Sequence, residues 1–126
     1  MDKKRANAKY SDGRQNVEFS VSIFLWEEDS IFYVYSPALD LTGYGLTKEE
    51  ARESFETVLE EFIKYTHNKK TIFKELENLG WAVNKRRKRV VSPDFEDLLS
   101  ENEHFRHLYK SKDLVRDSSN VNLQLA

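Results

Sequence analysis

Residues Val17 to Thr66 carry the pattern that most limits what this chain can fold into: an alternating strand, a tight turn, a second strand, a glycine-punctuated segment and one long amphipathic helix. Val17, Phe19, Val21, Ile23 and Leu25 alternate with Glu18, Ser20, Ser22, Phe24 and Trp26. Period-two alternation with one strongly apolar face marks a half-buried strand. The second face turns aromatic towards Trp26, which predicts a cover at that end too. Glu27-Glu28-Asp29-Ser30 interrupts the alternation and predicts a hairpin turn. Ile31 to Tyr35, β-branched and aromatic, predicts the returning strand. Pro37 ends it, because proline has no N–H to give to a ladder.

Leu41-Thr42-Gly43-Tyr44-Gly45 predicts a third extended segment, whose glycines permit a bulge or a close backbone approach. Thr47, with Glu50 three residues on, forms a capping-box signature. Ala51, Phe55, Val58, Leu59, Phe62 and Ile63 follow at helical spacing and predict a helix to about Thr66. Such a stripe must be buried on the sheet, where each large side chain contributes ~1.5–3 kcal/mol.

Around this unit, residues 1–16 are polar and predict a flexible arm. A second helix is expected over Thr71 to Leu79, with Gly80 as its C-cap. Trp81 to Val91 reads as a strand or ragged hairpin with the basic run KRRKR in its middle. Ser92-Pro93 predicts a helix start, serine as cap and proline in the first helical position, continued by Phe95, Leu98 and Leu99. Phe105, Leu108 and Tyr109 predict another short helix, and Val121, Leu123 and Leu125 a terminal strand. A length of 126 residues fits one α+β domain over 17–126, with a C-terminal extension from about residue 67.

With no cysteine, disulfides, thiolate catalysis and zinc sites with Cys ligands are excluded. The net charge of −2 gives no global preference for nucleic acid or membrane. No apolar run approaches the ~20 residues of a membrane-spanning helix. The basic start MDKKR is not followed by an apolar region, so no signal peptide is expected and a cytoplasmic location is.

The stretch VEFSVSIFLWEEDSIFYVYSPALDLTGYGLTKEEARESFETVLEEFIKYT resembles the HicB-like antitoxin family. The matching pieces are Tyr33 to Tyr35, Pro37, Leu39, Gly43, Thr47, Glu49, Glu50 and Ala51, in that order. The resemblance implies a fold like a truncated ribonuclease H: an antiparallel sheet packed on one long helix, here with a C-terminal helical extension and terminal strand. It further implies a non-catalytic bacterial protein of toxin–antitoxin systems that binds a small RNA-cleaving toxin and assembles as a homodimer or higher oligomer. Many members also repress their own operon through an added DNA-binding domain. After Thr66 this chain shows neither a helix-turn-helix nor a ribbon-helix-helix pattern, and the aspartate quartet of a true ribonuclease H is missing.

Three clusters invite chemistry. Lys85, Arg86, Arg87, Lys88 and Arg89 can neutralise phosphates, with Trp81 upstream as a stacking surface; the same run also suits a charged edge strand or an acidic partner surface. Glu27, Glu28 and Asp29 can hold a divalent cation or simply form a solvated turn. His104 and His107, three apart on an expected helix, could share a metal ion; surface histidines are the reading adopted. No catalytic residue, cofactor or metal site is expected. The leading expectation is therefore a protein-binding, antitoxin-like module. A nucleic-acid-binding regulator acting through Trp81 and residues 85–89 is the alternative, an orphan oligomerisation module a further one, and an enzyme the least supported.

Overall fold

The computed structural model describes residues 16–87 and 89–124. Its centre is a four-stranded antiparallel sheet built from β1 (Asn16–Glu28), β2 (Ile31–Ser36), β3 (Leu41–Gly45) and β6 (Val115–Gln124), in the order β3-β2-β1-β6. β1 begins inside the expected arm, at Asn16, and runs through Glu27 and Glu28, which pair with Phe32 and Ile31. The turn is thereby reduced to Asp29 and Ser30, with φ of 54° and 67°. Two central residues at positive φ are what a two-residue hairpin of right-handed twist demands.

Helix α1 (Lys48–Lys69) covers one face of the sheet. The Thr47 hydroxyl accepts the Glu50 N–H at 3.0 Å, and the Glu50 carboxylate accepts the Leu46 N–H at 3.0 Å. The helix runs three residues beyond the expected Thr66 and stops at Lys70, whose φ of 56° makes it a left-handed cap. Thr66 does not end it because its buried hydroxyl turns back to the carbonyls of Phe62 and Ile63. Helix α2 (Ile72–Asn78) closes in a Schellman arrangement: Trp81 N–H donates to Leu76 O and Gly80 N–H to Glu77 O, with Gly80 at φ 95°. The hairpin β4 (Ala82–Asn84) and β5 (Arg89–Val91) follows. Val17, Phe19, Val21, Ile23 and Leu25 form one core with Phe55, Leu59, Ile72, Leu76, Trp81 and Val90.

The second face of the sheet is covered at its aromatic end, as Phe24 and Trp26 led one to expect. Helices α3 (Phe95–Glu101) and α4 (Glu103–Ser111) pack Phe105 and Leu108 on Phe24, Trp26 and Tyr35, a second core. The expected start of α3 at Ser92-Pro93 is displaced: Asp94 is the cap, its carboxylate accepting the Asp97 N–H at 2.9 Å, and both Ser92 and Pro93 precede the helix. A carboxylate caps more strongly than a hydroxyl here because it also meets the positive end of the helix dipole. The terminal strand is longer than expected; β6 begins at Val115 and pairs with β1 from Leu25 back to Asn16, while Leu125 lies outside the described residues. No helix among the described residues is long and apolar enough to cross a membrane.

Candidate functional site

The turn that follows strand β2 delivers one wall of a cleft. Ser36 is buried at its end and its Oγ accepts the Leu39 N–H at 3.4 Å; Pro37 stops the ladder, and Ala38 and Leu39 turn into the core. The turn closes on Asp40 in the left-handed region, φ 56°, a conformation that aspartate tolerates better than most residues. That geometry returns the Asp40 carboxylate to the preceding strand β2, where it accepts the Tyr35 hydroxyl at 2.8 Å. From the other side Asn102, at the α3–α4 junction, donates its amide to the same phenolic oxygen at 3.1 Å while its Oδ1 caps α4 through Phe105 N–H. His104 stands edge-on to the Tyr35 ring, centroids 5.1 Å apart.

This triad underlies a cleft of about 570 Å³ lined by Pro37, Asp40, Gly80, Pro93, Asp97, Glu101, Asn102, Glu103 and His104 among others. Four carboxylates face it, and among the described residues no lysine or arginine lines it. The acidic side chains are solvent-exposed, so the cleft is a charged rim over a buried, hydrogen-bonded tyrosine. Among the described residues no group of three or more His, Asp or Glu is placed to hold a metal ion. The chemistry such a rim favours is attraction of a cationic segment, with carboxylates accepting charge-assisted hydrogen bonds from Lys or Arg.

Tyr35 is 1% exposed. Burial, above all, pushes its phenol upward from the ordinary value; the Asn102 hydrogen bond opposes the rise, and the Asp40 carboxylate adds to it. The folded state therefore holds a proton that the unfolded chain releases near pH 10. The triad's contribution is complete below about pH 10 and is lost as pH rises above it. Tyr35→Phe is expected to lower stability at pH 7 by ~1–2 kcal/mol and to flatten the alkaline limb of a denaturation-midpoint profile taken from pH 7 to 11. An unchanged alkaline limb would show that Tyr35 does not govern it.

The residues singled out from the sequence end up apart in role. Trp81 is 4% exposed: its indole N–H donates to Ala38 O at 2.8 Å and its ring meets Phe19 edge-on at 4.9 Å. A ring spent in the core offers no stacking face, so the expected platform is withdrawn from the surface. Lys85, Arg86 and Arg87 form the exposed tip of the β4–β5 hairpin, where Asn84 Oδ1 accepts the Arg87 N–H at 3.1 Å, and Arg89 opens β5, exposed. Lys88 lies outside the described residues. Glu27 and Asp29 are exposed at the first hairpin, and Glu28 bonds Lys112 at 3.1 Å, which holds its carboxyl below the usual range. The acidic cleft itself left no local signal, since Asp40 and Asn102 belong to segments that meet only in the fold. Comparison with protein-family models, with curated proteins and with solved structures found no match.

Proposed function

We propose that the chain is a non-catalytic, HicB-like protein-binding module of antitoxin type, acting in the bacterial cytoplasm on a small basic protein such as an RNA-cleaving toxin. The observation that carries this reading is the acidic cleft, whose carboxylate rim matches the charge expected of a protein that itself binds RNA. The run of β1, β2, β3 and α1, three antiparallel strands followed by one long covering helix, supports the family reading and its truncated ribonuclease H-like fold. The test is affinity capture from the native host, with the captured species identified and its binding remeasured in isolation. A small basic protein is expected, with binding weakened at least tenfold by Asp97→Lys and Glu101→Lys together at unchanged thermal stability. Capture of the same protein by the charge-reversed variant with equal affinity would sink the reading.

A second reading rests on the exposed cations of the β4–β5 tip. Binding there would be independent of sequence and steeply weakened by salt. Changing Lys85, Arg86, Arg87, Lys88 and Arg89 to Ser is expected to abolish retention on immobilised single-stranded nucleic acid at low salt, with the fold intact by circular dichroism. Absence of retention by the unaltered protein would eliminate this reading.

A further inference from the structure

Strand β6 is an edge of an unusual kind. It pairs with β1 at every position from Val115 to Gln124, and among the described residues no second strand pairs with it. In an antiparallel ladder alternate residues turn their N–H and C=O to opposite sides, so half of β6 turns its main-chain groups outward, away from β1. Proteins blunt such edges with short strands, proline, lysine or bulges. β3, the opposite edge, is only five residues long. β6 has ten residues and contains no proline, glycine or lysine.

Its two charges are engaged by partners on the two faces. The Arg116 guanidinium lies over the rings of Phe24 and Phe95, at 5.6 and 5.2 Å, and donates to Ser22 Oγ at 2.9 Å. Asp117 takes Arg52 at 2.8 Å on the other face. Its second oxygen accepts the Ser118 N–H at 2.8 Å, a bond that a pairing strand would replace with its own carbonyl. Beside β6 on the α1 face, a cleft of about 320 Å³ over Ile23 and Phe55 stays open, with Arg52 and Ser119 at its margin.

We propose that a second copy of this chain pairs antiparallel along β6, about a two-fold axis through Ser118, and joins two four-stranded sheets into one. This goes beyond the cleft-based reading and shares no residue with it. The strand is self-complementary in this register: Val115, 65% exposed, faces Val121 of the second copy, Arg116 faces Asn120 and Asp117 faces Ser119. A one-residue slip would interchange the two faces. Centring the axis on Asp117 or Arg116 would set like charges opposite each other, which is destabilising. Seven residues, Val115 to Val121, pair across this axis and span ~23 Å; with a side-chain layer on each face the contact is roughly 900 Å² in total, the size of a weak, reversible interface. The net charge of −2 opposes the approach of two copies only weakly.

The test is sedimentation equilibrium of the full chain with amide hydrogen exchange across β6. A reversible dimer is expected at high micromolar concentration, with alternate amides between Val115 and Val121 protected in proportion to the dimer fraction. Val115→Lys, at an exposed position, is expected to weaken self-association at least tenfold and remove that protection. Ser118→Pro, which deletes an edge N–H, should do the same with an unchanged circular dichroism spectrum. A monomer at all soluble concentrations overturns the proposal, as does a dimer that both variants preserve, or a β6 edge that is protected only by a different protein. None of these outcomes bears on capture at the acidic cleft.

Discussion

Gly43→Ala is expected to destabilise the protein by ~3 kcal/mol or more, at the upper end of what overpacking usually costs. Gly43 lies opposite Val34 in the β2–β3 ladder, directly beneath α1. A Cβ built there would stand 2.3 Å from Phe55 N, 2.6 Å from Phe55 Cα and 2.9 Å from Ala51 O. All three are backbone atoms of a helix whose Ala51 and Phe55 are themselves buried, so no flexible side chain can give way. Relief requires α1 to lift from β3, which would loosen the packing of Phe55 and Leu59 in the same core. Against a typical total of ~5–15 kcal/mol, such a loss leaves the domain marginal. Urea denaturation checks it: the midpoint should fall by more than about 1 M with little change of slope. A midpoint within about 0.2 M of the unaltered protein would mean that the strand and helix are not in such close approach.

Trp81→Ala is expected to cost ~3–5 kcal/mol, the range for truncating a buried aromatic side chain. The ring fills the space between Phe19 of β1 and the hairpin that follows, and its N–H satisfies Ala38 O, a carbonyl of the turn that leads to Asp40. Trp81→Phe separates the two contributions. It keeps most of the volume and loses the hydrogen bond, for ~1–2 kcal/mol. Thermal denaturation of both variants, with nucleic-acid retention measured on the folded Phe variant, decides between a core and a stacking role. Retention by Trp81→Phe equal to that of the unaltered protein is the expected result. Weakened retention at unchanged stability would return Trp81 to the surface.

Trp81 shows why part of the site was illegible in the sequence. A tryptophan next to a basic run is the same string whether its ring faces solvent or core. What buries it is the Schellman turn at Gly80, which sends the chain back over Phe19. The hairpin itself was legible, because apolar residues flank the charges on both sides. Thr47 and Glu50 gave the start of α1, since a cap works through hydrogen bonds within four residues. Its end was missed because Thr66 has two ways to use its hydroxyl, and the choice depends on burial. The start of α3 was misread at Ser92-Pro93, where two adjacent cap signatures compete and the carboxylate of Asp94 takes the helix.

The sequence by itself determined the alternation of β1, the breaks at Pro37 and Gly80, the start of α1 and the buried stripe from Ala51 to Leu59. Each of these follows from steric and hydrogen-bonding rules that act over a few residues, and periodicity tells which face of an element must leave water. Periodicity does not tell what that face will meet. Only the tertiary structure decided that Phe24, Trp26 and Tyr35 lie beneath α3 and α4, that Asp40 and Asn102 share one phenolic oxygen, and that β6 returns to β1. The reason is that apolar burial is proportional to area and indifferent to partner, whereas a cleft or a strand edge is made by segments far apart in the chain. Their meeting is settled by the packing of the whole domain.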